Sequence, residues 1–236
     1  MFNSLKFAAT LGAALLFAGV SANADFITNG NFEQVLSGDP STGKLGSATN
    51  LVGWTTNGYN FLFNGSTAST SGASGLTLWG GGVGGGATLG PSPAGNNFIG
   101  ADGAYQVGAI NQTITGLTAG TNYTVSFYWG GAQQNGFTGT TTEQWLVSLG
   151  AQTLSTNVLT DASHGFTGWQ QTFLTFQATG SSEVLSFLAA GTPDGEPPFS
   201  LLDGVSMNAV PEPASMSLLG AGLAALGFVR RRKQKQ

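Results

Sequence analysis

Apolar and polar residues alternate with a period of two along much of the chain. Tyr123, Val125, Phe127 and Trp129 are separated by Thr124, Ser126 and Tyr128, so an extended segment here has one apolar face and one hydroxyl-rich face. Weaker forms of the same period run through 145–149 and 169–177. Further aromatic or β-branched stretches lie at 26–33, 59–63, 105–114, 184–190 and 199–207, which makes at least eight candidate strands. Gly, Asn, Asp and Ser clusters such as Asn135-Gly136 and Asp194-Gly195 divide them as turns do. Between the two ends no apolar run has helical period and length. The pattern predicts an all-β sandwich or barrel.

The two ends depart from this pattern. Lys6, the apolar run 7–20 and then Ser21-Ala22-Asn23-Ala24 have the layout of a secretory signal peptide, an apolar helix over 1–24 with Asp25 as the mature N-terminus. At the other end Pro211, Glu212 and Pro213 precede an apolar stretch, 214–229, and then Arg230, Arg231, Arg232 and Lys233. A helix over that stretch spans roughly 24 Å, just short of a hydrocarbon core, and its basic end stays cytoplasmic. An ordinary C-terminal membrane anchor would read the same way. The prolines cannot continue a strand ladder, so the body is predicted as one domain over 25–209, followed by a tail over 210–236.

Composition narrows the chemistry. The 236 residues include no cysteine and one histidine, which excludes disulfides, thiolate metal sites and multi-histidine centres. Six of the seven basic residues belong to the termini, leaving Lys44 alone in the body against ten carboxylates. Nucleic acid is excluded as a partner, because phosphates need Lys and Arg to neutralise them. A neutral polyol, a sugar or a cation remains compatible. The glycine-rich stretch 72–95 lacks the Lys-Ser/Thr and helix of a phosphate loop and reads as a flexible loop.

Two resemblances follow from the residues. Pro211-Glu212-Pro213, the short apolar helix and the Arg230–232 cluster, in that order, resemble the PEP-CTERM sorting signal of exopolysaccharide-producing Gram-negative bacteria. That resemblance implies recognition and processing by an exosortase, a membrane protease, with the chain held at the inner membrane during export. Asn29-Gly30-Asn31-Phe32-Glu33, Gly53-Trp54, the segment 110–129 and Leu202-Asp203-Gly204-Val205 are similar to galactose-binding-like jelly rolls, a fold that includes many carbohydrate-binding modules. In such jelly rolls an acid near the first strand and one near the last often share a structural calcium, which here implies Glu33 and Asp203. The present chain carries Gly204 where that pattern usually has a second acid.

Sugars are recognised by aromatic faces together with Asn, Gln and acidic partners. Trp54, Tyr59, Trp79, Tyr128 and Trp169 are the candidate platforms, although aromatics in an all-β domain are more often core. His164 sits between candidate strands with no nucleophile motif, and reads as a turn residue rather than a catalyst. The expectation is a non-catalytic envelope or matrix protein associated with exopolysaccharide. The alternative is a dedicated carbohydrate-binding domain, and behind both stands a glycoside-acting enzyme, whose paired carboxylates the sequence cannot place.

Overall fold

The computed structural model describes residues 25–70, 73–83, 86–211 and 222. The expected signal peptide at 1–24, and Glu212, Pro213, Arg230, Arg231 and Arg232 of the expected sorting signal, lie outside the described residues. Among the described residues no helix is long and apolar enough to cross a membrane. The strands are β1 (Gly43–Lys44), β2 (Thr55–Thr56), β3 (Asn60–Asn64), β4 (Asn97–Asp102), β5 (Ile110–Thr115), β6 (Asn122–Gln133), β7 (Thr141–Leu149), β8 (Gln152–Ser155), β9 (Leu159–Asp161), β10 (Gln170–Gln177), β11 (Ser182–Thr192) and β12 (Pro198–Ala209). They form two antiparallel sheets of six strands, ordered β1-β3-β4-β12-β6-β10 and β2-β5-β11-β7-β8, with β9 also paired to β7. The fold is the all-β jelly-roll sandwich that the alternation and the resemblance predict.

Alternation decides which side chains enter the space between the sheets. On β7, Thr141, Glu143, Trp145, Val147 and Leu149 are buried while the residues between them are part-exposed. Tyr123, Val125, Phe127 and Trp129 face them from β6, as the sequence pattern requires. Phe187 of β11 lies at the centre, edge-on to Phe127 at 5.2 Å and to Trp145 at 6.0 Å between ring centroids. On β12 the register shifts between Asp203 and Ser206, and Gly204 takes a left-handed φ of 60°. Leu202 and Val205 thereby both enter the core three positions apart, which strict alternation forbids.

A second apolar layer lies on the outer face of the first sheet. Phe61 and Phe63 of β3, Phe98 of β4, and Phe199 and Leu201 of β12 form it. It is covered by the stretch the sequence suggested was a loose loop. The described residues of that stretch instead bury Ala73, Leu76, Leu78 and Leu89, and their backbone is bonded in place, Leu78 N–H to Ala68 C=O and Trp79 N–H to Gln133 C=O. The apolar residues spaced through the glycines give the segment something to bury. The expected first strand at 26–33 is also absent. Asn29 and Phe32 adopt left-handed φ values of 52° and 54°, which turn the chain instead of extending it.

Candidate functional site

One end of the sandwich is made by the start of β3, the end of β4, the β6–β7 loop and the β11–β12 loop. A pocket of about 280 Å³ opens there, walled by Tyr59, Tyr105 and Phe137 and edged by Asp102, Gln134 and Asp194. Tyr59 and Tyr105 meet almost at right angles, 84° and 5.1 Å between centroids, and Tyr105 is half exposed. Tyr59 is fixed from behind by Phe61, edge-on at 4.7 Å, and by Lys44, whose Nζ lies 5.2 Å from the ring centroid. Asp102 shapes the turn after β4, its Oδ1 accepting the N–H groups of Ala104 and Tyr105. Burial raises the Asp102 carboxyl above the ordinary range; those two N–H groups oppose the rise and the charge of Asp194 adds to it. Burial, then Asp102, also raises Tyr59, so its phenol stays protonated and able to donate. The rim carboxylate of Asp194 is exposed.

The structure distributes the five aromatic candidates widely. Tyr59 lies in this pocket. Trp54 is 6% exposed, its ring among Phe32 and Phe187 and its Nε1–H directed to the carbonyls of Thr28 and Asn29, so it is a core residue with one edge at a smaller cleft. Trp79 is half-buried, 4.1 Å from the His164 ring, and donates Nε1–H to Phe137 C=O. Trp169 packs on Phe98 and Phe166 and donates to Gly90 C=O. Tyr128 lies on the outer face of β6, across from Gln171 of β10. Beyond it on that face stands Phe173, 62% exposed. Tyr105, Phe137, Asp102 and Asp194 were not named as site residues from the sequence, where Asp194-Gly195 read only as a turn; the signal available was an acid-glycine pair, Asp102-Gly103 and Asp194-Gly195, on either side of the pocket.

Glu33 and Asp203 come near each other, and the negative charge of Glu33 helps, after burial, to push Asp203 up to about 7. Glu33 Oε1 accepts the N–H groups of Asn96 and Asn97, Asp203 Oδ1 accepts Gly204 N–H, and Asp203 Oδ2 accepts the Ser92 hydroxyl. Three of the four carboxylate oxygens are therefore engaged by the protein's own donors, a set that fits a hydrogen-bonded turn better than a cation cradle. His164 occupies a turn with a left-handed φ of 64° and donates its backbone N–H to Gln133 Oε1.

A PEP-CTERM protein-sorting motif matches residues 209–233, which marks the protein for export and sorting to the cell envelope or the extracellular space. A second family model, described as "Protein of unknown function (DUF642)", matches residues 78–208, more than half of the chain. The chain belongs to the DUF642 family. The DUF642 match takes in every residue of the pocket except Tyr59. Comparison with curated proteins found no match. Among solved structures, TmCBM61 in complex with beta-1,4-galactotriose is similar at 12% identity and a TM-score of 0.46, over 80% of this chain and 100% of that one. The CBM22-1 xylan-binding domain from Paenibacillus barcinonensis Xyn10C is similar at 11% identity and a TM-score of 0.39, over 81% and 98%. A Family 16 Carbohydrate Binding Module-2 is similar at 16% identity and a TM-score of 0.29, over 49% and 79%.

Proposed function

We propose that the protein is an exported, non-catalytic envelope or matrix component whose sandwich binds a neutral glycan, exopolysaccharide in its own setting, at the Tyr59–Tyr105 pocket. The observation that carries this reading is the pair of tyrosines at right angles above two acids and an amide. An aromatic face covers the C–H side of a sugar ring, and Asp194, Gln134 and the tyrosine hydroxyls match its hydroxyl groups. The volume is near the lower end for small-ligand sites, enough for a chain end or a short stretch of polysaccharide. One lysine against ten carboxylates in the body disfavours phosphorylated or acidic sugars.

Two carboxylates in one pocket also suit a glycoside hydrolase. Asp102 argues against that use, because its Oδ1 is held by two backbone N–H groups and its Oδ2 is buried. The tail belongs to the same proposal: an exosortase-type protease processes the chain at Pro211-Glu212-Pro213, with the basic end at the inner membrane until then. A glycan array probed with the purified full chain tests the binding claim. Saturable binding to one class of neutral sugar is expected, and uniform absence of binding would remove it. Release of new sugar ends from a bound polysaccharide, abolished by Asp102→Asn, would replace binding with catalysis.

A further inference from the structure

The edges of the two sheets are unequal. Edge strands β1 and β2 have two residues, β9 three and β8 four, whereas β10, the last strand of the first sheet, has eight. Among the described strands β10 pairs with β6 alone. Ala178 N–H donates to Thr121 C=O, which sets the phase of that ladder. Gln170, Thr172, Leu174 and Phe176 therefore turn their backbone groups to β6, and Gln171, Phe173 and Thr175 turn theirs outward. Gln177 keeps the same phase, its N–H pointing away from β6 to Gln152 Oε1 of β8. Side chains alternate in step. Leu174 and Phe176 enter the core, the Thr172 hydroxyl accepts Trp129 Nε1–H, and Gln171, Phe173 and Thr175 stand on the outer face. Phe173, at the middle of the strand, is 62% exposed.

Sheets protect a long edge with Lys, Pro, an inward charge or a bulge. β10 has none of these: Gln-Gln-Thr-Phe-Leu-Thr-Phe-Gln holds no charge and no proline, and its register with β6 is unbroken. β6 beside it is uncharged as well. The body as a whole carries one lysine against ten carboxylates, so two copies repel unless they meet at a neutral surface. An uncharged strand does not select a basic partner, and a sugar has no row of alternating donors and acceptors to match a strand edge. A second β10 supplies both the neutrality and the row. We propose that two copies of this chain pair β10 to β10, antiparallel, about a two-fold axis at Phe173. Opposite residues in a ladder share a face, so that axis sets Phe173 against the partner's Phe173 and Gln171 against the partner's Thr175. The two rings form a cross-strand aromatic pair on the outer face. The other edge strands are too short to extend the contact, so it closes at the dimer instead of growing. Nothing in this pairing depends on the glycan site.

Sedimentation velocity of the purified full chain, in a mild detergent that occupies its apolar tail, is expected to show dimers at roughly 100 μM. Phe173→Lys, which sets like charges across the axis, should raise the dissociation constant roughly tenfold or more while leaving the circular dichroism of the monomer unchanged. The chain has no cysteine, so introduced thiols report the register without background. Phe173→Cys should cross-link to itself on mild oxidation, because Cα atoms of a bonded pair lie about 5.5 Å apart, within disulfide reach. Gln171→Cys and Thr175→Cys should cross-link when mixed, and each alone much more slowly. Native chain that stays monomeric at that concentration would overturn the proposal. So would dimers unaffected by Phe173→Lys, or a Val184→Cys variant, exposed on the other sheet, that cross-links as fast as Phe173→Cys. Sugar binding lost in Phe173→Lys by a chain that never dimerises would give the ring to a glycan and overturn it too.

Discussion

Glu143 should make the protein less stable as pH rises. The carboxyl has no exposed surface, and no charged donor stands against it, only the neutral Thr141 hydroxyl. Burial pushes it from 4.5 up to about 8; the Thr141 hydroxyl opposes the rise and the charge of Asp161 adds to it. In the unfolded chain the same group ionises near its ordinary value, so below that value both states are protonated and no penalty exists. Between 4.5 and about 8 the unfolded chain sheds a proton that the folded chain keeps, and the stabilisation is lost progressively across that window. At about 1.4 kcal/mol for each pH unit, that interval corresponds to roughly 5 kcal/mol, a large part of an ordinary domain's stability. Asp161 and Asp203, each pushed by burial from 3.8 to about 7, act with the same sign. The assay is urea unfolding in chelator at a series of pH values, for the native protein and for Glu143→Gln, whose amide does not ionise. The native protein should lose several kcal/mol, and the variant should show a distinctly shallower fall. A native curve that is flat or rises over the window would refute the reasoning, as would a variant that follows the native curve.

Other consequences follow from packing and from the tail. Gly131→Ala should destabilise by about 1–3 kcal/mol, since the new methyl meets a carboxylate with nowhere to move, and thermal unfolding would register it. Phe187→Ala, which empties the point where Trp54, Phe127 and Trp145 converge, should cost about 3–5 kcal/mol in urea unfolding. Deleting residues 210–236 should change how the protein partitions between envelope and medium; unchanged fractionation would count against sorting by the tail.

The architecture was legible where the alternation is clean and obscure where burial or turns interrupt it. β6, β7 and β10 overlap the segments whose period of two is visible, because one face of each meets the other sheet, and β11 and β12 were marked by their aromatic and β-branched content. β4 escaped notice because all six of its residues are buried, on two different cores, so no polar face marks it, and Asn97, Gly100 and Asp102 break the apolar run. β1, β2, β8 and β9 are too short to show a period. The glycine-rich cover was misread since its few apolar residues matter only once β3 and β4 offer them a surface. The pocket was hidden for a related reason. Tyr59, Asp102, Phe137 and Asp194 are far apart in sequence, and only closure of the sandwich brings four chain segments to one end. The buried acids were equally silent, because Glu143 occupies an apolar position in a strand pattern that identifies the face but not the partner.

The central claim is that the corner made by Tyr59 and Tyr105 is a glycan site. The most direct measurement is calorimetric titration of a neutral polysaccharide fragment, chosen from the array, into the native full chain, Tyr105→Ala and Phe173→Ala. Tyr105→Ala removes the exposed wall of the pocket, and its affinity should fall roughly tenfold or more. Phe173→Ala removes the exposed aromatic on the far sheet face and should bind as the native protein does. Binding that survives Tyr105→Ala and disappears in Phe173→Ala would contradict the account and move the site to the open face of β6 and β10.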